Sequence, residues 1–194
     1  MKIEIKDRFD SKKIIVSGEY ESVKDCLEKN HSADLRSANL CFANLHSADL
    51  HSVNLCSADL HSVNLCSANL HSADLCSADL RFADLYSADL CSADLGSADL
   101  CFANLYSADL VGIKNYSKSH DIFTELVRQQ ATNVFTNGEW SIIGVVSLHR
   151  LCWDAIKKRY GKKIMPIFKK LSKKGWGEFA EKYIQILKGE SCNS

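Results

Sequence analysis

Residues 68–82 read Ala-Asn-Leu-His-Ser-Ala-Asp-Leu-Cys-Ser-Ala-Asp-Leu-Arg-Phe, which is three copies of one five-residue unit. The unit consists of a small residue, Asp or Asn, Leu, a variable residue and usually Ser. It occurs sixteen times without interruption from Ala33 to Leu110. A fixed short period is typical of a repeat architecture, so the period decides the fold of this segment.

A five-residue period excludes the two simplest regular structures. On an α-helix, five residues turn through about 500°, so successive leucines would scatter around the axis. On a flat strand, an odd period would place each leucine on the opposite face from the last one. We therefore predict a short extended piece with the small residue and Leu pointing inward and Asp or Asn pointing outward. The last two residues of each unit would then bend the chain into a coil.

The aromatic substitutions indicate how many units make one turn. If four units form a turn, residues 20 apart stack, and one column then contains Phe42, Ser62, Phe82 and Phe102. Tyr86 and Tyr106 share another column. This spacing predicts a square parallel β-helix of four coils, with roughly 4.8 Å between coils and a length of about 19 Å.

The tripeptides Ala73-Asp74-Leu75 and Ala103-Asn104-Leu105 resemble those of the pentapeptide repeat family. The resemblance implies a mainly β fold, the right-handed quadrilateral parallel β-helix, here with sixteen repeats in four coils. The flanks resemble a bacterial and phage arrangement with an N-terminal hairpin cap and a C-terminal α-helical segment that opens with Ser119-His120-Asp121.

The flanking sequences predict three segments: residues 1–30, 31–115 and 116–194. In the first, alternation over Lys2 to Lys6 and the run Ile14 to Val16 predict a hairpin, and Glu21 to Asn30 a capping helix. The middle segment is the pentapeptide repeat β-helix. In the last, we expect an α-helical bundle. An apolar stripe from Ile122 to Phe135 predicts a first helix that ends at Asn137-Gly138. The nearly all-apolar run Trp140 to Cys152 predicts a buried helix. Two further helices are predicted around Pro166 to Ser172 and Trp176 to Leu187.

Composition predicts a cytoplasmic protein. No stretch approaches the roughly 18 apolar residues that span a membrane, and the N-terminus carries acidic residues where a signal peptide would be apolar. Six of the nine cysteines occupy the variable outward position of the repeat, and we expect exposed, reduced thiols without a functional disulfide network: Cys41, Cys56, Cys66, Cys76, Cys91 and Cys101. No membrane partner is expected.

Charge is divided unevenly although the net charge is zero. Residues 31–115 carry three basic and ten acidic groups, whereas residues 116–194 carry fourteen basic and seven acidic groups. This asymmetry favours either an attraction between the two segments or two differently charged partners. We expect the lysines of the C-terminal segment to be free for an acidic partner: Lys157, Lys158, Lys162, Lys163, Lys169, Lys170, Lys173 and Lys174.

Catalytic, cofactor and metal sites are not predicted. Gly161-Lys162-Lys163 lacks the upstream glycine and the following Ser or Thr of a phosphate-binding loop. Consecutive Ser119, His120 and Asp121 are better explained as the start of a helix than as a triad. His31, His51, His71 and Cys91 share a column, but a straight column presents ligands in a line, so we favour variation at an outward position over a metal site.

One face of the predicted solenoid combines low charge with aromatic corners. Its central column is Asn44, Asn64, Asp84 and Asn104, and its predicted partner-binding residues are Phe42, Phe82, Phe102, Tyr86, Tyr106 and Arg81. An aromatic surface of low charge on a soluble protein is usually an interface, either with a partner or with the helical segment of the same chain. We therefore predict a non-enzymatic protein-binding module or scaffold, without direct nucleic-acid binding.

An acidic square rod suggests a second function. Resemblance to the fluoroquinolone-resistance members of the family implies a DNA mimic that inhibits or protects a nucleic-acid enzyme, either a topoisomerase or a target of anti-phage or anti-restriction type. Its Asp columns would be Asp59, Asp79 and Asp99, Asp74 and Asp94, and Asp89 and Asp109. The C-terminal helices could also form a homodimer, with Trp140, Ile142, Val145 and Leu148 either shared between subunits or buried within a bundle that closes on itself.

Overall fold

A computed structural model describes residues 1–115, 122, 124–125, 134–149, 153–173, 180–181, 184–185 and 188. The chain divides into two compact units, Met1–Tyr116 and Ser117–Ser194. Among the described residues, none of the helices combines the length and the apolar composition that crossing a bilayer requires.

The first unit begins with an antiparallel hairpin of strands β1 (Lys2–Lys6) and β2 (Ile14–Glu19). Helix α1 follows at Val23–Lys29, and the Ser22 hydroxyl caps it by accepting from the Asp25 N–H. The predicted hairpin and helix are therefore present, with β2 extending beyond the predicted end at Val16. Cys26 and Leu27 form the buried side of α1.

The repeats form a β-helix in which parallel bridges join residues 20 apart. Asn44 pairs with Asn64, Asn64 with Asp84, and Asp84 with Asn104. Between these coils, Leu45 N–H donates to Asn64 O at 2.8 Å. Four five-residue units separate each bridged pair, which is the spacing that the aromatic columns predicted.

The inward positions of the repeat form the core. From Leu35 to Leu110 every repeat Leu is buried, and so are Val53 and Val63, which replace the usual alanine. Burying one leucine contributes about 1.5–3 kcal/mol, so the buried leucines together make the main favourable contribution to the free energy of folding of the solenoid. The Asp or Asn between the two inward residues lies at the surface or half-buried, as the outward position predicts.

Each corner is a tight turn that the sequence pattern did not fully reveal. Ala43 N–H donates to Leu40 O at 3.1 Å, closing a four-residue turn. The third residue of that turn, Phe42, has φ = 58°, and every fifth residue from Ser37 to Ser107 has φ between 53° and 62°. A positive φ at this place is the feature of a type II turn and usually requires Gly.

The Asp or Asn of the unit explains how such turns form without Gly. In all sixteen repeats its Oδ1 accepts from the backbone N–H two residues ahead, for example Asn54 Oδ1 from Cys56 N–H at 3.0 Å. This Asx turn directs the chain into the corner. The residue type at this position is therefore a requirement of the turn as well as of the solvated surface.

The N-terminal hairpin covers the open edge of the first coil. Asn39 N–H donates to Lys6 O and Arg8 N–H to Ser37 O, both at 2.7 Å. The Arg8 guanidinium extends further and donates to the carbonyl oxygens of Ser57 and Ala58 at 3.2 and 3.1 Å. Because these edge groups are paired, this part of the first coil offers less backbone to other chains.

In the second unit, helix α2 (Asn137–His149) packs against helix α3 (Trp153–Leu171). The Thr136 Oγ1 accepts from Glu139 N–H, and Glu139 Oε2 accepts from Thr136 N–H, which forms a capping box. The helix predicted from Trp140 therefore begins earlier than expected, at Asn137, because the capping box starts it there. Residues 134–136, just before Asn137-Gly138, are not helical.

Helix α3 is much longer than the predicted helix around Pro166. Pro166 lies inside α3 and is exposed, whereas the buried stripe of the helix consists of Ile156, Ile164, Ile167, Phe168 and Leu171. Intervals of three, four and eight residues within this set align one apolar face, whose burial outweighs the lost hydrogen bond at proline. Of the last predicted helix, residues 180–181 and 184–185 are described and helical, and so is residue 188 just beyond its predicted end.

Candidate partner-binding site

The three corner phenylalanines lie on the surface of the solenoid. Phe42, Phe82 and Phe102 are 72%, 54% and 60% exposed. The parallel bridges between successive coils place them in one column with Ser62, as predicted. The rings of Phe82 and Phe102 stack with centroids 5.2 Å apart.

His61 fills the gap that Ser62 leaves in this column. Its ring contacts Phe42 edge-on at 5.6 Å between centroids and Phe82 edge-on at 5.5 Å. Phe42, His61, Phe82 and Phe102 thus form a continuous row of rings, which we call the aromatic ladder. Sequence analysis missed His61 because it belongs to the neighbouring column. Its position directly before the single Ser in a Phe column was the available signal.

The second aromatic corner is also formed. The rings of Tyr86 and Tyr106 stack at 5.5 Å and are nearly parallel, at 6°. Between the two corners, Asn104 Nδ2 donates to Asp84 Oδ1 at 2.9 Å, so an amide partly satisfies the carboxylate of this otherwise uncharged column. The column between the corners is therefore polar but weakly charged.

Arg81 is held within the solenoid. Its Nη2 lies 2.6 Å from Asp79 Oδ2, and its Nε lies 3.7 Å from Asp99 Oδ2. Arg8 Nη2 approaches the same Asp79 carboxylate at 3.9 Å. The Arg81 guanidinium hydrogen bond lowers the pKa of Asp79, against the opposing effect of burial. The predicted binding role of Arg81 stays a prediction, and its side chain is already paired with acids.

These contacts also bear on the acidic columns. Asp79, the middle acid of the column Asp59, Asp79 and Asp99, is only 12% exposed and is neutralised by two arginines. In the neighbouring column, Asn115 Nδ2 donates to Asp94 Oδ2 at 2.8 Å. The row of acids is therefore less uniform than the sequence suggests.

The repeat cysteines correct one expectation. All six are half-buried rather than fully exposed. They are free thiols, as is Cys26. Burial together with the carboxylates of Asp94 and Asp74 raises the pKa of Cys76 to about 12. Gly96 lies over this thiol, since a Cβ there would come within 3.0 Å of the Cys76 Sγ.

The predicted sites of the C-terminal segment are described in part. Ser119, His120 and Asp121 lie outside the described residues, as do the side chains of Val145 and Leu148. Trp140 and Ile142 are half-buried. Lys170 departs from the expectation of free lysines: its Nζ lies 2.6 Å from Glu139 Oε2 and 5.8 Å from the centre of the Phe135 ring.

A sequence model of the family described as Pentapeptide repeats (8 copies) matches residues 31–61, 43–81 and 83–114. No curated protein matches the sequence significantly. Similar solved structures include HetL, a pentapeptide repeat protein involved in heterocyst differentiation regulation from Nostoc sp. strain PCC 7120. HetL is 40% identical over 40% of this chain and 36% of its own, with a TM-score of 0.39.

Two further solved structures come from cyanobacteria. The pentapeptide repeat protein Rfr23 of Cyanothece 51142 is 36% identical over 40% of this chain and 54% of its own, with a TM-score of 0.39. The pentapeptide repeat protein alr5209 of Nostoc PCC 7120 is 45% identical over 39% of this chain and 63% of its own, also with a TM-score of 0.39. The chain thus spans from about a third to somewhat under two thirds of the length of these structures. Residues 31–81 and 83–114 of this chain are thus a pentapeptide repeat segment.

Proposed function

We propose that this protein is a non-enzymatic binding module whose right-handed quadrilateral β-helix presents the aromatic ladder to a protein partner. The observation that carries the proposal is the row Phe42, His61, Phe82 and Phe102, which places three strongly exposed phenylalanine rings on a rigid solenoid. Exposed apolar surface of this kind is costly in water and is enriched at protein interfaces.

The backbone of the ladder supports a binding role. Phe42 and Phe82 both have φ near +58°, a conformation that costs a bulky side chain about 1 kcal/mol or more. Ser occupies this corner in most repeats, so the turn itself does not require phenylalanine. Keeping an exposed ring in a strained conformation is consistent with a role for the ring outside the turn.

The alternative, DNA mimicry, receives less support from the surface. A mimic of duplex DNA needs regular rows of unpaired negative charge, whereas Arg8 and Arg81 neutralise Asp79 in the middle of one row. In the proposed mode, charge would mainly steer the encounter, and the aromatic anchors would supply the binding energy.

The test compares capture of partners by matched variants of the full chain. Immobilised wild-type protein, a Phe42→Ser/Phe82→Ser variant and an Asp59→Asn/Asp79→Asn variant are incubated with extract of the native host. Bound proteins are quantified by mass spectrometry. Serine is the residue that most repeats carry at this corner, so the first variant keeps the turn.

We expect a partner that wild type and the Asp variant retain and the Phe variant loses. Loss of two anchors at about 2 kcal/mol or more each corresponds to a reduction in affinity of several hundredfold or more. A partner lost mainly by the Asp variant would instead favour DNA mimicry. If all three proteins retained the same partners equally, the proposal that the aromatic ladder binds a partner would be overturned.

A further inference from the structure

A second cluster of reactive side chains lies on a different column of the solenoid. His71 belongs to one coil, and Asp89 and Cys91 belong to the next. One ligand atom from each, an imidazole nitrogen, a carboxylate oxygen and the thiol sulfur, lie within 4.8 Å of one another. His71 is exposed, whereas Asp89 and Cys91 are half-buried, so the cluster is open to solvent on one side.

The backbone holds the two coils of this cluster in register. Asn69 bridges Asp89, Leu70 N–H donates to Asp89 O at 2.7 Å, and Ser72 N–H donates to Cys91 O at 2.8 Å. Hydrogen bonds therefore fix the chain on both sides of His71. The three side chains start from a rigid frame, and only their own rotations remain to be fixed on binding.

The carboxylate keeps an oxygen for a ligand. Asp89 Oδ1 accepts from Cys91 N–H at 2.8 Å in the Asx turn, which orients the carboxylate toward Cys91. One carboxylate oxygen of Asp89 lies within 4.8 Å of both the Cys91 thiol sulfur and a His71 ring nitrogen. The residues of the His71 column alone would present their ligand atoms in a line, but Asp89 lies beside that line.

We propose that His71, Asp89 and Cys91 form a zinc-binding site with a fourth position open to water. Thiolate, imidazole and carboxylate are the three ligand types that Zn²⁺ takes in proteins. Bond lengths of about 2.0–2.3 Å place the ligand atoms of a tetrahedral site roughly 3.5 Å apart. Small side-chain rotations close the remaining distance from the observed geometry.

The sequence contains this arrangement only once in the repeats. The required pattern is a His followed by Asp and Cys at the same sequence offsets that separate His71 from Asp89 and Cys91. His46 is followed at these offsets by Asn64 and Cys66, so the carboxylate is missing. Asp99 and Cys101 have Arg81 in place of the imidazole, and that arginine pairs with Asp99 at 3.7 Å.

The experiment titrates the reduced full chain with Co²⁺, which substitutes for Zn²⁺ and reports thiolate ligation and tetrahedral geometry by its absorption. Zn²⁺ is then added in competition. Variants are Cys91→Ser, His71→Ala and Asp89→Asn, with Cys101→Ser as the matched control because Cys101 also follows an Asp two residues earlier. Circular dichroism confirms that each variant retains the fold.

We expect one Co²⁺ ion per wild-type chain, displaced by Zn²⁺. Cys91→Ser should abolish the thiolate-to-cobalt absorption, and His71→Ala and Asp89→Asn should each weaken binding by at least about tenfold, because loss of even an outer-shell partner costs that much. Cys101→Ser should bind as wild type does. If the wild-type protein showed no thiolate-to-cobalt absorption, or if Cys101→Ser lost it as completely as Cys91→Ser, the proposed zinc site would be overturned.

A gain of binding provides an independent check. Arg81→His places an imidazole at the same sequence offsets from Asp99 and Cys101 that His71 has from Asp89 and Cys91. The number of bound Co²⁺ ions should rise from one to two. A stoichiometry that stays at one would contradict the claim that this spacing is sufficient for binding.

Discussion

The imidazole ring of His61 lies edge-on against the ring of Phe82, with centroids 5.5 Å apart and an interplanar angle of 80°. The same imidazole contacts Phe42 on its other side. A single residue of the variable position therefore joins two phenylalanines that are separated by two coils. The ladder depends on this one ring for its continuity.

Replacing His61 tests whether the ladder stabilises the solenoid. His61→Ala removes two aromatic contacts worth about 0.5–1.5 kcal/mol each, so the free energy of unfolding should fall by roughly 1 to 3 kcal/mol. His61→Phe should not lower it, since the ring is kept and the buried Nδ1, which has no hydrogen-bond partner among the described residues, is removed. Urea denaturation followed by circular dichroism measures both.

His46→Ala is the control for this prediction. His46 occupies the same repeat position and is exposed, so its removal should change the free energy of unfolding by less than about 0.5 kcal/mol. An equal effect of His46→Ala and His61→Ala would show that the row of rings does not stabilise the solenoid.

Gly112 and Gly161 make a pair with opposite expected effects. Gly112 has φ = 67° at a corner of the coil, and a Cβ there would lie 3.3 Å from Ser92 Oγ, so Gly112→Ala should destabilise the first unit by about 1 kcal/mol. Gly161 lies inside α3 with nothing within 4 Å of an added Cβ. Gly161→Ala should stabilise the second unit by roughly 0.8–1 kcal/mol.

The measurement is chemical denaturation of the full chain followed by circular dichroism, with the α-helical and β-sheet signals analysed separately. Gly112→Ala should lower the midpoint of the β transition, and Gly161→Ala should raise the midpoint of the helical transition. Stabilisation by Gly112→Ala would mean that the corner does not require a positive φ at this residue.

Much of the fold could be predicted because the repeat encodes it redundantly. Sixteen copies of one pattern fix the inward leucines, and the interval between Phe82 and Phe102 gives the number of units per turn. The helical segment lacks such redundancy. A capping box at Thr136 starts α2 before the apolar run from which that helix was predicted, and α3 continues through an exposed Pro166 although proline usually breaks helices.

The candidate sites were predicted only where they follow a single column. Phe82 and Phe102 lie in one column and were found from their spacing. His61 and Asp89 contribute from outside the columns in which the other members of their clusters lie. Their contacts depend on the rotamers of side chains that meet across a corner or along a face. The spacing of residues in the sequence carries no information about these rotamers.

Asp79 should make the stability of the solenoid depend on acid pH. Because Arg81 lowers the pKa of Asp79 in the folded state, the pair stabilises the fold above the unfolded-state pKa, about 3.9 for Asp. That contribution is lost as the pH falls through the lowered folded-state pKa. Asp79→Asn should therefore be less stable than wild type at pH 7, and the difference should shrink toward zero near pH 2.

A double-mutant cycle separates this pair from general acid effects. Arg81→Gln alone should reduce the pH dependence, and Arg81→Gln combined with Asp79→Asn should cost less than the sum of the two single changes. Melting temperatures between pH 2 and 7 give the profiles. Strict additivity of the two substitutions would show that the ion pair is not coupled.

We expect the Cys76 thiol to react slowly with alkylating reagents, and replacing one neighbouring carboxylate should raise its reactivity. Burial and the carboxylates of Asp94 and Asp74 raise its pKa to about 12, and only the thiolate reacts with iodoacetamide. At pH 8 we therefore expect little alkylation of Cys76 in the native protein. Asp94→Asn removes one of the two charges that disfavour the thiolate, so labelling of Cys76 should become several-fold faster, whereas Asp109→Asn on another face should leave the rate unchanged. Peptide mapping by mass spectrometry after timed labelling measures these rates, and equal rates in wild type and Asp94→Asn would show that burial alone suppresses the reactivity of this thiol.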